Sequence, residues 1–357
     1  MRQFRYRTIW DEHDLTSSQR SSTSEEQLAP RPRFAVVVPC YNEQGAIART
    51  IDELRRILAD AGEYELIVVD DGSTDDTPRA LREMAARDPS LQVLRHGRNL
   101  GYGAALKTGL MHAKADWIVI TDADGTYPND RILDLLRCTE HCDMAVGSRT
   151  APNAKYPLIR KLPKIFLRRY ASWVAGRTIP DINSGLRVFP RKVAQRFLHI
   201  LPEGFSFTTT ITLAMLTNHY SVEYVPIDYY PRVGNSKIRP LVDTMRFVRL
   251  IACTGMYFSP LRVLLPVTAA IFGMFMLSAG YDALTVGDMT PHTLMLLGLA
   301  VNTMFFALLA DMVVKKAGEF LQTPYVAGSF RNASTVREAI DSQQHGGEHD
   351  SGRSRAA

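Results

Sequence analysis

Asp122 and Asp124 stand one residue apart in the run ITDADGTYPND, directly after an apolar stretch. Two ionised carboxylates this close repel each other, and a bound cation is the natural compensation. Hard divalent ions such as Mg2+ take one or two carboxylates together with substrate phosphates, and Mn2+ suits oxygen ligands equally well. The pair therefore points to a metal-bound diphosphate. Asp-x-Asp triplets also occur in turns that hold no ligand. Asp71, at the end of another apolar run, adds weight to the ligand reading.

The run HGRNLGYGAALKTG invites two nucleotide-binding assignments and fits neither. Both the GxxxxGK[ST] loop and a GxGxxG fingerprint starting at Gly101 require glycine where Leu106 stands. Two readings remain for the glycines: a close approach of backbone to something beside an anion-favouring helix N-terminus, or a tight turn that packs a helix on a sheet.

These residues need a scaffold. From residue 34 short apolar runs alternate with longer amphipathic ones, the pattern of βα units in a parallel sheet. FAVVVP, ELIVVD, LQVLRH, WIVITD and DMAVGS read as strands; residues 44–59, 76–87, 103–113 and 129–137 read as the helices between them. Val36-Val37-Val38 and Ile67-Val68-Val69 suit strands buried on both faces. The expectation is an α/β fold with a mostly parallel central sheet. Such sheets bind ligands outside the carboxyl ends of their strands. Tyr41 to Glu43, Asp70 to Ser73, Asn99 to Gly103 and the Asp122/Asp124 pair follow successive strands, so they are expected to share one site.

The chain has 357 residues, 46% of them hydrophobic, enough for a sizeable core and more than one unit. The net charge is +5, and the excess of basic residues after residue 155 favours an anionic surface or ligand. Cys40, Cys138, Cys142 and Cys253 form no CxxC pair and show no spacing typical of zinc, which fits a reduced, cytosolic setting. The histidines, His112, His141 and His199 among them, show no ligand spacing either.

Residues 263–281 and 293–310 carry no charge, and each approaches the length that spans a bilayer. Arg246, Arg249 and Arg262 precede the first, Lys315 and Lys316 follow the second, and the connection between them has no Lys or Arg. Both ends should face the cytoplasm. PLIRKLPKIFLRRYASWV mixes apolar and basic residues at helical spacing, so it could lie in a headgroup layer with Tyr170 and Trp173 as anchors; Pro163 should kink it or end it. RPLVDTMRFVRLI is a second segment of this kind. The first thirty residues show no apolar stretch of a cleavable leader, and they and the tail from about residue 332 read as disordered. The expected division is a disordered segment 1–32, an α/β domain 33–230, an interfacial region 231–259, two membrane helices within 260–316 and a tail 317–357.

VVVPCYNEQGAI, IVVDDGSTDDT, RNLGYGAALKTG and TDADGTYP, in this order, resemble the nucleotide-sugar domain of inverting family 2 glycosyltransferases. Beyond them, GSRT, INSGLRVFPR, a Phe-Ser-Phe segment and VGNSKIRP are similar to the polyprenyl-phosphate sugar synthases, the group that includes dolichyl-phosphate mannose synthase; the terminal hairpin is similar to that of its bacterial members. The resemblance implies a GT-A-like fold and a divalent cation, Mg2+ or Mn2+. It implies a UDP- or GDP-linked sugar as donor and a polyprenyl phosphate as acceptor. Pro39, Tyr41 and Glu43 would frame the base and ribose, Asp71 would contact the base, and Asp122 with Ala123 would lie near ribose and metal. Asp124 would ligate the cation. Thr126, standing where some members have a metal-contacting Gln, is carried as a further ligand. Arg149 would approach the acceptor phosphate, with Arg160, Lys161, Arg232 and Lys237 as further basic contacts. The resemblance thus makes Asp122, Asp124 and Arg149 the catalytic set. The lipid bilayer is an expected partner and nucleic acid is not; a second copy of the chain and a lipid-linked sugar flippase are candidate protein partners.

A phosphate monoester is already an anion, so this acceptor needs no general base. Transfer to a lipid or polysaccharide hydroxyl would require one, and a processive synthase would also carry a QxxRW-type element, which the sequence lacks. A non-catalytic membrane scaffold of the same fold is the third reading, against which the intact Asp71, Asp122 and Asp124 speak.

Overall fold

The β-branched runs become central strands because side chains buried on both faces suit the middle of a sheet covered by helices. In the computed structural model the described residues are 7–8, 33–150, 161–204, 206–230, 240–285 and 287–321. Their strands are β1 (Arg7–Thr8), β2 (Phe34–Cys40), β3 (Tyr64–Asp70), β4 (Leu91–Arg95), β5 (Trp117–Ile120), β6 (Met144–Ser148), β7 (Arg187–Pro190) and β8 (Val222–Pro226). The helices are α1 (Ile47–Leu58), α2 (Thr77–Arg87), α3 (Tyr102–His112), α4 (Ile132–Cys138), α5 (Lys161–Ala175), α6 (Arg191–Arg196), α7 (Phe207–Thr217), α8 (Pro240–Phe258), α9 (Pro260–Thr285) and α10 (Pro291–Leu321).

One eight-stranded sheet has the order β1-β4-β3-β2-β5-β7-β6-β8. Strands β4, β3, β2 and β5 are parallel, as are β6 and β8. β7 enters between β5 and β6 antiparallel to both. The sheet is mostly parallel, as the periodicity predicts; the four-residue RVFP run of β7 carries no alternation that would announce a strand.

Alternation along β2 sends Val36 and Val38 into a core with Ile47, Ile51 and Leu54 of α1, and Ala35 and Val37 into a second core with Leu106 and Leu110 of α3. Each fully buried branched side chain of this kind contributes about 2 kcal/mol. Gly109 lets α3 lie close to the sheet, since a Cβ there would sit 2.4 Å from Val37 Cγ1. A third core joins α5, α7 and α8 through Ala171, Val174, Leu213 and Ile251.

Pro163 does not end its segment: it is the third residue of α5 as described, a position where a missing N–H leaves no helical bond unmade, and the helix runs on to Ala175. Trp173, expected as a headgroup anchor, donates its indole N–H to the Arg262 carbonyl at 2.8 Å, and Arg262 Nη1 returns a bond to the Val174 carbonyl at 3.2 Å. The start of α9 is thereby bolted to the end of α5.

α9 and α10 are long and apolar enough to cross a membrane, and only 11% and 17% of their most apolar stretches are buried inside the protein. A core helix of a soluble domain would be mostly covered. α10 continues as helix to Leu321, beyond the boundary expected at residue 316. The expected disordered segments lie outside the described residues, apart from the short pairing of β1 with β4.

Candidate active site

β5 ends at Ile120, and the chain then turns through DADG across the carboxyl ends of the sheet. Gly125 makes the turn with φ +69, a conformation that favours glycine. Thr50 of α1 fixes the loop from below by donating to the Ala123 carbonyl at 3.0 Å.

Asp122 is held from two sides. The Tyr102 hydroxyl, at the start of α3, donates to Asp122 Oδ1 at 2.9 Å. Burial, and then the Asp122 charge, push the Tyr102 phenol well above its usual pKa, so it remains a donor. On the other side lies Gly185, where a Cβ would stand 3.0 Å from both carboxylate oxygens. Any larger residue there would press on the carboxylate and shift it by a few tenths of an ångström.

Asp124 Oδ1 accepts from the Thr126 backbone N–H at 3.1 Å and from Thr126 Oγ1 at 2.7 Å. Thr126 is fully buried, and its hydroxyl orients the carboxylate from within the turn. The two carboxylates offer oxygen ligands, which fit a hard divalent cation.

Asp71 is buried at the end of β3, and its oxygens accept from Leu100 N–H at 2.9 Å, Gly101 N–H at 2.8 Å and the His96 ring at 2.7 Å. His96 is clamped in turn by Thr108 at 2.9 Å. A carboxylate has about four acceptor positions, so this use leaves room for one more donor. The Asn42 to Gln44 loop is latched to the next strand end: Asn42 N–H donates to Ser73 Oγ at 2.9 Å, Thr74 N–H to Asn42 Oδ1 at 2.8 Å and Glu43 N–H to Thr77 Oγ1 at 3.0 Å. Tyr41 is exposed at this mouth, while Pro39 is buried in β2.

The glycines of RNLGYG approach the chain itself. A Cβ at Gly101 would meet the Glu203 carbonyl at 2.5 Å, and one at Gly103 would meet the Pro202 carbonyl at 2.2 Å. Ala104 N–H donates to Glu203 O at 3.0 Å, so a loop of the protein takes up this donor at the start of α3. The glycines do permit a close approach of backbone, and what approaches is the 202–204 loop of the protein.

Arg149, just past β6, makes a two-point pair with Asp181: Nε to Oδ2 at 2.7 Å and Nη2 to Oδ1 at 2.9 Å. Its Cζ lies 5.2 Å from the Tyr229 ring centroid, and Tyr229 meets Tyr127 edge-on at 5.4 Å. The Tyr127 hydroxyl accepts from Gly185 N–H at 2.7 Å. A continuous chain, Arg149, Tyr229, Tyr127, Gly185, thus leads to Asp122. Arg187 lies buried behind it, donating to the carbonyls of Ser184 and Thr208 and to Thr212 Oγ1, and burial pulls its pKa down.

The structure gathers Asp122, Ala123, Asp124, Thr126, Asp71, Tyr41, Glu43 and Arg149 at one end of the sheet. Arg160, Arg232 and Lys237 lie outside the described residues, and for Lys161 only the helical backbone is described. Tyr102, Asp181, Gly185 and Tyr229 are additions to the site that types and spacing do not reveal, because each acts on a residue far away in sequence.

Residues 35–198 match the family model described as "Glycosyl transferase family 2". The chain is 31% identical over 236 residues to the low-salt glycan biosynthesis hexosyltransferase Agl6 of Haloferax volcanii, covering 64% of this chain and 55% of that protein. It therefore spans about half the length of that relative. It is 32% identical over 211 residues to the dolichyl-phosphate hexose transferase of Haloferax volcanii, covering 58% of this chain and 87% of that protein. It is 29% identical over 227 residues to the polyprenol monophosphomannose synthase of Mycolicibacterium smegmatis, covering 59% and 83%. With this sheet, this aspartate pair and these relatives, the chain belongs to glycosyl transferase family 2.

Proposed function

We propose that the protein transfers a hexose from a nucleoside-diphosphate sugar to a polyprenyl phosphate, with inversion at the anomeric carbon. The observation that carries this reading is the continuous path from the Asp122 carboxylate through Gly185, Tyr127 and Tyr229 to Arg149, in a chain that carries two bilayer-length helices. The names of the relatives, which include a dolichyl-phosphate and a polyprenol-phosphate enzyme, support it.

Asp124 and Asp122 would hold a divalent cation, Mg2+ or Mn2+, which when bound would neutralise charge on the leaving diphosphate. Thr126 keeps Asp124 aimed at that position, and Tyr102 does the same for Asp122. Asp71, with Tyr41, Glu43 and Pro39 around it, receives the nucleotide base and ribose. Arg149 presents its guanidinium to the acceptor phosphate, exchanging part of its bond to Asp181 for charge-assisted bonds to the incoming anion. The phosphate oxygen attacks the anomeric carbon from the face opposite the leaving diphosphate, and the bond to that diphosphate breaks. No proton has to be removed, so orientation supplies much of the rate.

α9 and α10 cross the bilayer, with the arginines and lysines at their outer ends on the cytoplasmic side. The Trp173–Arg262 bolt then holds the catalytic domain at the membrane surface, where a lipid acceptor resides. Asp124→Asn tests the site: in washed membranes the variant should insert and fold normally yet transfer no sugar. Full activity in that variant would overturn the metal role.

A further inference from the structure

At the opposite end of the sheet, α4 and the edge strand β8 bring together three groups that sequence spacing keeps apart. Cys138 closes α4, His141 follows in the next turn, and Glu223 arrives on β8. One ligand atom from each lies within 4.8 Å of the other two. His141 Nε2 and Glu223 Oε2 are 3.1 Å apart.

The backbone fixes the carriers. His141 N–H and Cys142 N–H both donate to the Cys138 carbonyl, at 3.1 and 3.0 Å. Glu223 is paired with Ala145 in the β6–β8 ladder, and Asp143 closes that ladder by accepting from Ser221 N–H at 2.7 Å and Ser221 Oγ at 2.8 Å. Donor atoms around a tetrahedral zinc stand roughly 3.3–3.6 Å apart, given metal–ligand distances near 2.0–2.3 Å. The His141–Glu223 separation is already that short, and both side chains are exposed, at 65% and 43%, with the thiol within 4.8 Å of their ligand atoms.

We propose that Cys138, His141 and Glu223 form a binding site for a transition-metal ion of the zinc class, with water at the fourth position. A sulfur, a nitrogen and an oxygen donor suit zinc or cobalt better than Mg2+ or Mn2+. Burial, then the Glu223 and Asp134 carboxylates, push the Cys138 thiol up, and a bound cation reverses that balance. The Cys138 proton leaves to solvent as the thiolate binds. The ion would pin the edge strand β8 to α4. Tyr229, three residues beyond the end of β8, carries Arg149 on its ring, so the pin steadies the acceptor side of the active site from a distance. This site is independent of the glycosyl-transfer reading.

The test uses the full chain purified in detergent, stripped with a chelator and titrated with Co2+. One equivalent of cobalt should produce a thiolate-to-metal charge-transfer absorption in the near ultraviolet, and Zn2+ should displace it. Cys138→Ser should lose the band while unfolding at the temperature of the metal-free wild type, and Glu223→Gln should need at least about tenfold more cobalt. Asp124→Asn should keep the band, because the oxygen-only catalytic pair cannot give a sulfur charge-transfer signal. No band at saturating cobalt, or a band that persists in Cys138→Ser, overturns the proposal.

Discussion

Arg149 and Asp181 meet through two parallel bonds, at 2.7 and 2.9 Å, with the arginine side chain 14% exposed and the aspartate 3%. A guanidinium so engaged already presents two donors to an oxyanion, and an incoming phosphate competes with Asp181 for the same donors. Arg149→Ala should raise the acceptor KM about 10- to 100-fold, the worth of one hydrogen bond to a charged group, and leave the donor KM nearly unchanged. It also strands a buried carboxylate, so denaturant unfolding should show a loss of about 3 kcal/mol. Arg149→Lys, which keeps charge but not the fork, should fall between. Unchanged acceptor kinetics in the alanine variant would remove Arg149 from the site.

Tyr102 and Gly185 both bear on the position of Asp122, one by a hydrogen bond and the other by close approach. Tyr102→Phe removes one bond to a charged acceptor and should lower kcat/KM for the donor about 10- to 100-fold with little change in thermal stability. Gly185→Ala places a methyl 3.0 Å from both oxygens and should lower activity at least as much. If both variants retain wild-type kcat/KM, the placement of Asp122 does not matter to the chemistry.

Thr126 distinguishes a ligand from an orienting residue. Thr126→Val removes the 2.7 Å hydroxyl bond to Asp124 but keeps the backbone N–H bond. Activity should recover at higher Mn2+ or Mg2+, with the metal requirement raised about tenfold, as for other residues that orient a metal ligand. A variant that stays inactive at any metal concentration would make Thr126 a direct ligand.

Gly103 carries a purely structural demand. A Cβ would lie 2.2 Å from the Pro202 carbonyl, a backbone atom that cannot swing away. Gly103→Ala should destabilise the protein by about 2 kcal/mol, within the range of overpacking, seen as a lower midpoint in denaturant unfolding. Wild-type stability would show that the 202–204 loop can move off α3.

Much of this was legible from the sequence. The β-branched runs gave five strands, and the polar residues after them gave the mouth of the site, because burial and periodicity are local properties. β7 was not legible: RVFP is short, and its place between β5 and β6 comes from pairing with residues far away. Asp181, Gly185 and Tyr229 were missed for the same reason, since each matters only through a partner that folding delivers. The RNLGYG glycines were ambiguous because steric permission for a close approach does not say what approaches. The Cys138, His141 and Glu223 grouping escaped spacing rules because its third member lies on another strand.

The most direct test of the account is to incubate the purified protein with polyprenyl phosphate, Mn2+ or Mg2+ and a panel of UDP- and GDP-linked hexoses, and to identify the lipid product by mass. The account predicts a polyprenyl-phosphate hexose from at least one donor, formed only with a divalent cation and absent with Asp124→Asn. Transfer to a free lipid hydroxyl but not to the phosphate, or no transfer from any donor under conditions where the protein is folded, would contradict it.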